Sequence, residues 1–230
     1  MLRAVFFDFN GVLVDDEPLH CALFQKTLAH QGVRLSEKDY YEKYLGFDDK
    51  DAFTAVLKDQ NLAVSPEMIQ TLIETKSKFY DEEMARKDLF VPGAVDFVKK
   101  ISEKYFLGVV SGALRREIAA WLKKGGIADL LPVIVAAEDI QKGKPDPEGY
   151  LRGLDHLNRD FVPSSEMILP QECLVIEDSR WGIEAAHGAG MKCVGFTTSY
   201  SAEELKIADW VISSFSEIPM EKIAASFQNS

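Results

Sequence analysis

The chain has 230 residues, 47% of them hydrophobic and 27% charged, with a formal net charge of −11. That length accommodates one large domain, or a core with a smaller appendage. An acidic chain with no basic stripe excludes a nucleic-acid or anionic-membrane surface, because both require clustered Lys and Arg.

If such a chain handles an anionic substrate, the positive charge must be supplied locally, by a metal, a lysine or helix N-termini. The three cysteines, Cys21, Cys173 and Cys193, are scattered without metal-ligand spacing and read as reduced core thiols. No apolar run approaches the ~20 residues of a membrane span. Met1-Leu2-Arg3 leads straight into apolar sequence without a signal-peptide layout, so a soluble, cytoplasmic protein is expected.

Val5-Phe6-Phe7 is short, unbroken and β-prone, the pattern of a strand buried on both faces of a parallel sheet. It ends in Asp8, followed by a glycine turn at Gly11. Residues 17–31 carry Leu19, Leu23, Thr27 and Leu28 at helical spacing, stopped by Gly32. Ser36 to Asp39 forms a capping-box-like start to a helical stretch through Tyr40, Tyr41 and Tyr44 to Gly46. A third helix is predicted over 49–58, with Phe53, Val56 and Leu57 on one face. A fourth opens on N-cap Ser65 and Pro66 and runs through Ile69, Leu72, Ile73, Lys76 and Tyr80. The pattern changes at Val91-Pro92-Gly93. Helices at 93–104, 114–124, 147–158 and 180–189 then alternate with strands at 106–110, 132–136, 173–176 and 192–196, before a last strand at 210–212. Residues 159–171 read as a loop and 225–230 as a frayed end. The fold class expected is α/β: a Rossmann-like parallel sheet core over 1–15 and 89–230, with an inserted all-helical cap over 16–88.

Four strand ends carry chemically apt residues: Asp8, Ser111-Gly112, Lys144 between Gly143 and Pro145, and Glu177-Asp178-Ser179. Singly, each has a structural reading as a turn cap, a helix N-cap or a solvated lysine. Together they fit one crevice at the carboxyl edge of a sheet. Asp8 and Asp178 supply hard oxygen ligands for Mg²⁺, with Glu177 nearby. Ser111 and the amides after it suit a phosphate oxygen, and Lys144 can neutralise carboxylate and phosphate alike.

In order and type, Asp8-x-Asn10-Gly11-Val12, Ser111, Lys144 and Glu177-Asp178 resemble the four motifs of the haloacid dehalogenase-like (HAD) superfamily. The likeness spans the whole chain. Gly143 to Pro147 and Glu177 to Ala186 are particularly similar to the β-phosphoglucomutase and phosphoglycolate phosphatase branch. The resemblance implies that Asp8 attacks phosphorus to form an aspartyl-phosphate, while Ser111 and Lys144 hold the phosphoryl group. It also implies Mg²⁺ ligated by Asp8, Asp178 and the backbone carbonyl of Asn10, with Glu177 ligating or orienting.

Asn10 departs from that pattern, since the family's phosphatases and mutases carry an aspartate there as proton donor and base. An amide cannot do this, and general acid–base catalysis is typically worth roughly 10²–10⁴ in rate. Three explanations stand open: a slow phosphatase, a binding protein descended from an enzyme, or an asparagine introduced to trap a complex. Asp15 and Asp16, just past the turn, read as helix caps. His20 and the 46–50 loop match stretches that face the active site in relatives and are candidates for substrate contact, and Arg115 or Arg116 could reach a second anionic group. The expected activity is a Mg²⁺-dependent phosphatase of a small phosphorylated metabolite, as a monomer or weak homodimer without nucleic-acid or membrane partners. A sugar-phosphate mutase and a low-turnover phosphate-ligand-binding protein are the alternatives.

Overall fold

Ala4–Phe7 forms β1, whose four residues are all buried in the computed structural model, which describes residues 1–45 and 47–227. The chain divides into two compact units, one of Met1–Asp15 with Phe90–Ser230 and the other of Asp16–Leu89.

The second unit contains, among the described residues, α1 (Glu17–Ala29), α2 (Glu37–Asp39), a π turn at Tyr40–Tyr44, α3 (Asp49–Asp59) and α4 (Pro66–Arg86). Three of these starts are set by capping side chains. Ser36, Asp48 and Ser65 accept the backbone N–H of Asp39, Asp51 and Met68, satisfying donors that the first helical turn leaves open. The core comprises Phe24, Leu28, Phe53, Val56, Leu57 and Leu72. Where a continuous helix was predicted through Tyr44, the backbone widens into the π turn. Both buried tyrosines are tied by their hydroxyls, Tyr40 to Glu17 and Tyr44 to Asp59. Gly46, the predicted stop of that stretch, lies outside the described residues.

The first unit continues after β1 with α5 (Ala94–Ser102), β2 (Phe106–Val110), α6 (Arg115–Lys124), β3 (Val133–Val135) and α7 (Glu148–Asp160). It ends with β4 (Cys173–Glu177), α8 (Arg180–Gly188), β5 (Lys192–Phe196), β6 (Trp210–Ile212) and α9 (Met220–Ser226). Among the described residues the sheet has six parallel strands in the order β3-β2-β1-β4-β5-β6. Alternation of strand and helix demands this arrangement, because a parallel neighbour can be reached only by a crossover. β1 is central, with Phe7 opposite Val109 on one side and Ile176 on the other. The strand order reverses there, which makes the carboxyl ends of β1 and β4 the topological switch point where ligands bind in open α/β sheets.

Two stretches are more ordered than the sequence suggested. In place of a loop over 159–171, α7 extends to Asp160 and single 3-10 turns form at Ser164–Glu166 and Pro170–Glu172. Asn158 holds this segment by bonding both the N–H and the carbonyl of buried Ile168. In place of a frayed end from Ala225, α9 runs to Ser226 and buries Ile223 and Phe227 one turn apart. Lys192 fastens it by donating to the carbonyl and hydroxyl of Ser226. The rest of the predicted frayed end, residues 228–230, lies outside the described residues. No described helix is long and apolar enough to cross a membrane.

Candidate active site

Asp8 follows β1 directly, and its backbone N–H donates to the carbonyl of Ile176 on β4 at 2.9 Å. The chain then turns tightly, with the Phe9 carbonyl accepting from Leu13 and Val14. Gly11 has φ +74°, and a Cβ there would lie 1.9 Å from Asp178 Oδ2. Sequence alone marks Gly11 as a turn residue; the structure adds that a carboxylate occupies the space of any side chain.

β4 delivers Glu177, with Asp178 one residue beyond its end. The α8 N-cap is Ser179, which accepts the Gly182 N–H at 3.0 Å. Asp178 is thereby spared the capping duty that sequence allowed it, and Oδ2 takes a hydrogen bond from Ser199 instead. A Cβ on Gly182 would meet the Glu177 carboxyl at 1.9 Å, so the first turn of α8 closes directly over that group.

Lys144 Nζ lies 2.5 Å from Asp8 Oδ1 and 2.5 Å from Glu177 Oε1. The Tyr150 hydroxyl also donates to Glu177 Oε1, at 2.8 Å. Glu177 Oε2 accepts from the backbone N–H groups of Asp178 and Ser179 and from the Ser179 hydroxyl. Both Glu177 oxygens are therefore committed to donors.

Asp8, Glu177 and Asp178 are buried and offer ligand oxygens within 4.8 Å of one another, a set that could hold a metal ion. Burial raises the Asp8 pKa to about 6, with Lys144 opposing the rise and Glu177 adding to it. Burial, then the charges of Asp8 and Glu177, push Asp178 well above the usual carboxylate range, against its bond from Ser199. Burial disfavours the Lys144 charge, yet Asp8 and Glu177 outweigh it and hold that ammonium's pKa above the ordinary lysine value. Within the cluster, three carboxyl groups face one ammonium, and a divalent cation would offset the excess negative charge they carry when ionised.

Ser111 follows β2, one strand over from Asp8, and its N–H bonds the Val135 carbonyl. Its hydroxyl accepts from the Ala113 N–H at 3.2 Å, while the N-cap of α6 is Leu114. Ser111 therefore shapes the turn before α6 and does not cap the helix. Space around Gly112 is open, with nothing within 4 Å of where a Cβ would lie.

The Arg115 guanidinium donates to the Ile134 carbonyl at 2.9 Å and to the Asp139 carboxylate, and its N–H faces Glu138. It clamps α6 to β3 and the turn beyond. Arg116 pairs with Glu117.

His20 belongs to the helical unit. Its Nδ1 is 2.8 Å from Lys76 Nζ and its Nε2 is 3.3 Å from Asp16 Oδ2, with the ring stacked on Tyr80 at 5.0 Å. Asp16 makes no capping bond on α1; its buried carboxylate accepts from the Tyr80 hydroxyl. In the 46–50 loop, Asp48 caps α3 and Asp49 pairs with Lys76 at 2.5 Å.

Sequence reasoning missed Ser199 and Tyr150. Ser199 had a signal, because the strand-end rule applied to β1, β2 and β4 also covers Thr197-Thr198-Ser199 after β5. Tyr150 had none, since a tyrosine on the buried face of a helix reads as core.

A sequence profile described as haloacid dehalogenase-like hydrolase matches residues 5–196, from β1 to the end of β5. A phosphorylated carbohydrates phosphatase of Thermotoga maritima is 28% identical, over 83% of this chain and 83% of its own length. CbbY of Rhodobacter sphaeroides, crystallised with phosphate, aligns with a TM-score of 0.82 at 26% identity, covering 95% of this chain and 97% of its own. The same protein was crystallised as an aspartate-to-asparagine variant with xylulose 1,5-bisphosphate. A β-phosphoglucomutase from Clostridium difficile aligns with a TM-score of 0.83 at 25% identity, covering 100% of this chain and 98% of its own.

Proposed function

We propose that this chain, which belongs to the haloacid dehalogenase-like hydrolase family, is a Mg²⁺-dependent phosphatase of small phosphorylated metabolites, phosphorylated sugars foremost, with Asp8 as nucleophile. The observation that carries the reading is Asp8 itself. It is a buried carboxylate at the sheet's switch point, bonded to Lys144 and grouped with Asp178 and Glu177.

Asp8, Asp178 and the backbone carbonyl of Asn10 would hold the cation, which when bound neutralises charge between nucleophile and phosphoryl group. Glu177, whose oxygens are already taken by donors, orients Lys144. An Asp8 carboxylate oxygen attacks phosphorus as the bond from phosphorus to the leaving oxygen breaks. Lys144 and the Ser111 hydroxyl donate to phosphoryl oxygens through the step. Water then attacks the phosphorus of the aspartyl-phosphate, releasing inorganic phosphate and returning Asp8. Asn10 can neither protonate the leaving oxygen nor activate that water, so solvent must serve in both half-reactions. The likeness to a phosphorylated carbohydrates phosphatase supports the substrate class. Free, buried thiols at Cys21, Cys173 and Cys193 accord with a cytoplasmic setting.

The test is a panel of sugar phosphates and p-nitrophenyl phosphate, assayed with the chain as it stands and with Asp8→Asn and Asn10→Asp. Asp8→Asn is expected to abolish turnover; unchanged turnover would refute the nucleophile. Asn10→Asp is expected to raise turnover of sugar phosphates by roughly 10²–10⁴, and of p-nitrophenyl phosphate by less, because nitrophenolate leaves without a proton.

Asn10 also favours a second reading, a protein that binds phosphorylated sugars with little turnover. Tight binding of a sugar phosphate with no product over hours would select it. Likeness to a β-phosphoglucomutase keeps isomerisation in the panel. A mutase must deprotonate an acceptor hydroxyl, so Asn10 weighs against it more than against hydrolysis.

A further inference from the structure

Tyr150 lies on α7, fully buried, six residues beyond Lys144, and makes two contacts with the phosphate-handling groups. Its hydroxyl donates to Glu177 Oε1 at 2.8 Å, the oxygen that Lys144 Nζ also reaches at 2.5 Å. Its ring lies beneath the same ammonium, with Nζ 5.5 Å from the centroid, within cation–π range. Lys144 is thus held between three groups: Asp8, Glu177 and the Tyr150 ring. We propose that Tyr150 is a positioning residue that limits how strongly Glu177 draws Lys144, and so keeps the ammonium available to a phosphoryl group at Asp8. This rests on the phosphatase reading of the same site.

The reasoning is a competition for donors. Glu177 is a fully buried carboxylate, so each oxygen seeks as many donors as the site offers. Oε2 is served by two backbone N–H groups and the Ser179 hydroxyl, all fixed by the start of α8. Oε1 depends on Tyr150 and Lys144. Remove the tyrosine hydroxyl, and Oε1 has only the lysine to satisfy it. The ammonium, carried on a flexible stem, is then drawn toward Glu177 and away from Asp8 and the phosphoryl oxygens. Gly182 leaves Glu177 no room to follow the other way, because the carboxyl already fills the space of a Cβ on α8. The hydroxyl is therefore required for function while contributing nothing to substrate contact.

The experiment is calorimetric titration of inorganic phosphate, in saturating Mg²⁺, into the parent chain, Tyr150→Phe, Lys144→Ala and the double variant. Melting temperatures are measured alongside. Tyr150→Phe keeps the buried ring and is expected to bind phosphate about tenfold more weakly, the scale of one charge-assisted hydrogen bond. In the Lys144→Ala background the same change is expected to have no further effect, because the group it positions is gone. A purely structural tyrosine would lower the melting temperature and leave phosphate affinity as it was. That outcome, or equal weakening by Tyr150→Phe in both backgrounds, overturns the proposal. A parent chain that neither binds phosphate nor releases it from any ester in Mg²⁺ refutes the phosphatase reading itself. Strong binding lost in Lys144→Ala but kept in Tyr150→Phe refutes only the role given to the tyrosine.

Discussion

Gly11 and Asp178 compete for one volume, which makes the glycine irreplaceable on two grounds, its left-handed φ and the carboxylate 1.9 Å from any Cβ. Gly11→Ala is expected to abolish phosphate binding and to cost about 1–3 kcal/mol of stability, read from a denaturant melt. At this scale the grouping of the residues was largely legible. Asp8, Glu177 and Asp178 stand at the ends of β1 and β4, visible as apolar runs that stop in a polar residue, whereas Lys144 lies in the segment between β3 and α7. What sequence could not supply was which oxygen each donor takes. Arg115 shows the difficulty: a cation just past the Ser111-Gly112 turn invites an anion, and in the structure it bonds a carbonyl and a carboxylate. Such pairings depend on where the β3 end and its turn meet α6, and no local pattern encodes that.

In the helices, α4 carries a buried lysine on its apolar face. Lys76 Nζ is bonded to Asp49 on α3 and to His20 on α1, with the Phe24 ring 4.3 Å away. The helical period predicted this face correctly but could not reveal that one of its members was charged and paired. Removing one member of a buried pair leaves the other charge uncompensated, typically at 3–5 kcal/mol. Asp49 keeps some exposure, so Lys76→Met is expected near the low end, about 3 kcal/mol, measured by urea unfolding. A loss below about 1 kcal/mol would mean that water screens Asp49 adequately. Elements were most legible where a cap or a β-branched run marks them, as at Ser65 and at β4. They were least legible where a single tertiary tie decides the outcome, as with Asn158 for the 159–171 segment and Phe227 for α9.

The Asp8–Asp178 cluster concentrates buried carboxyl groups whose ionisation folding disfavours. Asp8 has a native pKa of about 6 against 3.8 for the free group. The native chain therefore binds more protons than the unfolded chain between those values, and stability falls as pH rises through that window. Asp8 alone accounts for up to about 3 kcal/mol of that loss, and Asp178 shifts in the same direction. Metal-free protein should accordingly melt at a higher temperature near pH 4.5 than at pH 6.5, once other titrations are corrected with an Asp8→Asn control. Added Mg²⁺ should raise the melting temperature much more at pH 7 than at pH 5. Equal shifts at both values would place the ion elsewhere than on these carboxylates.

The central position of β1 also bears on how the chain is made. Its neighbours begin at Phe106 and Cys173, so an apolar strand leaves the ribosome long before either edge it pairs with exists. At about 5–20 residues per second, β1 waits on the order of ten seconds for β4. The unit of residues 16–89, whose contacts are local in sequence, is complete well before that. The nascent protein thus passes through a stage in which a folded helical unit separates an unpaired strand from the sheet it will enter. Chaperone demand should peak in that interval and fall when Cys173 to Glu177 emerges. Ribosome-bound chains stalled before and after β4 would show this as a drop in chaperone crosslinking to β1.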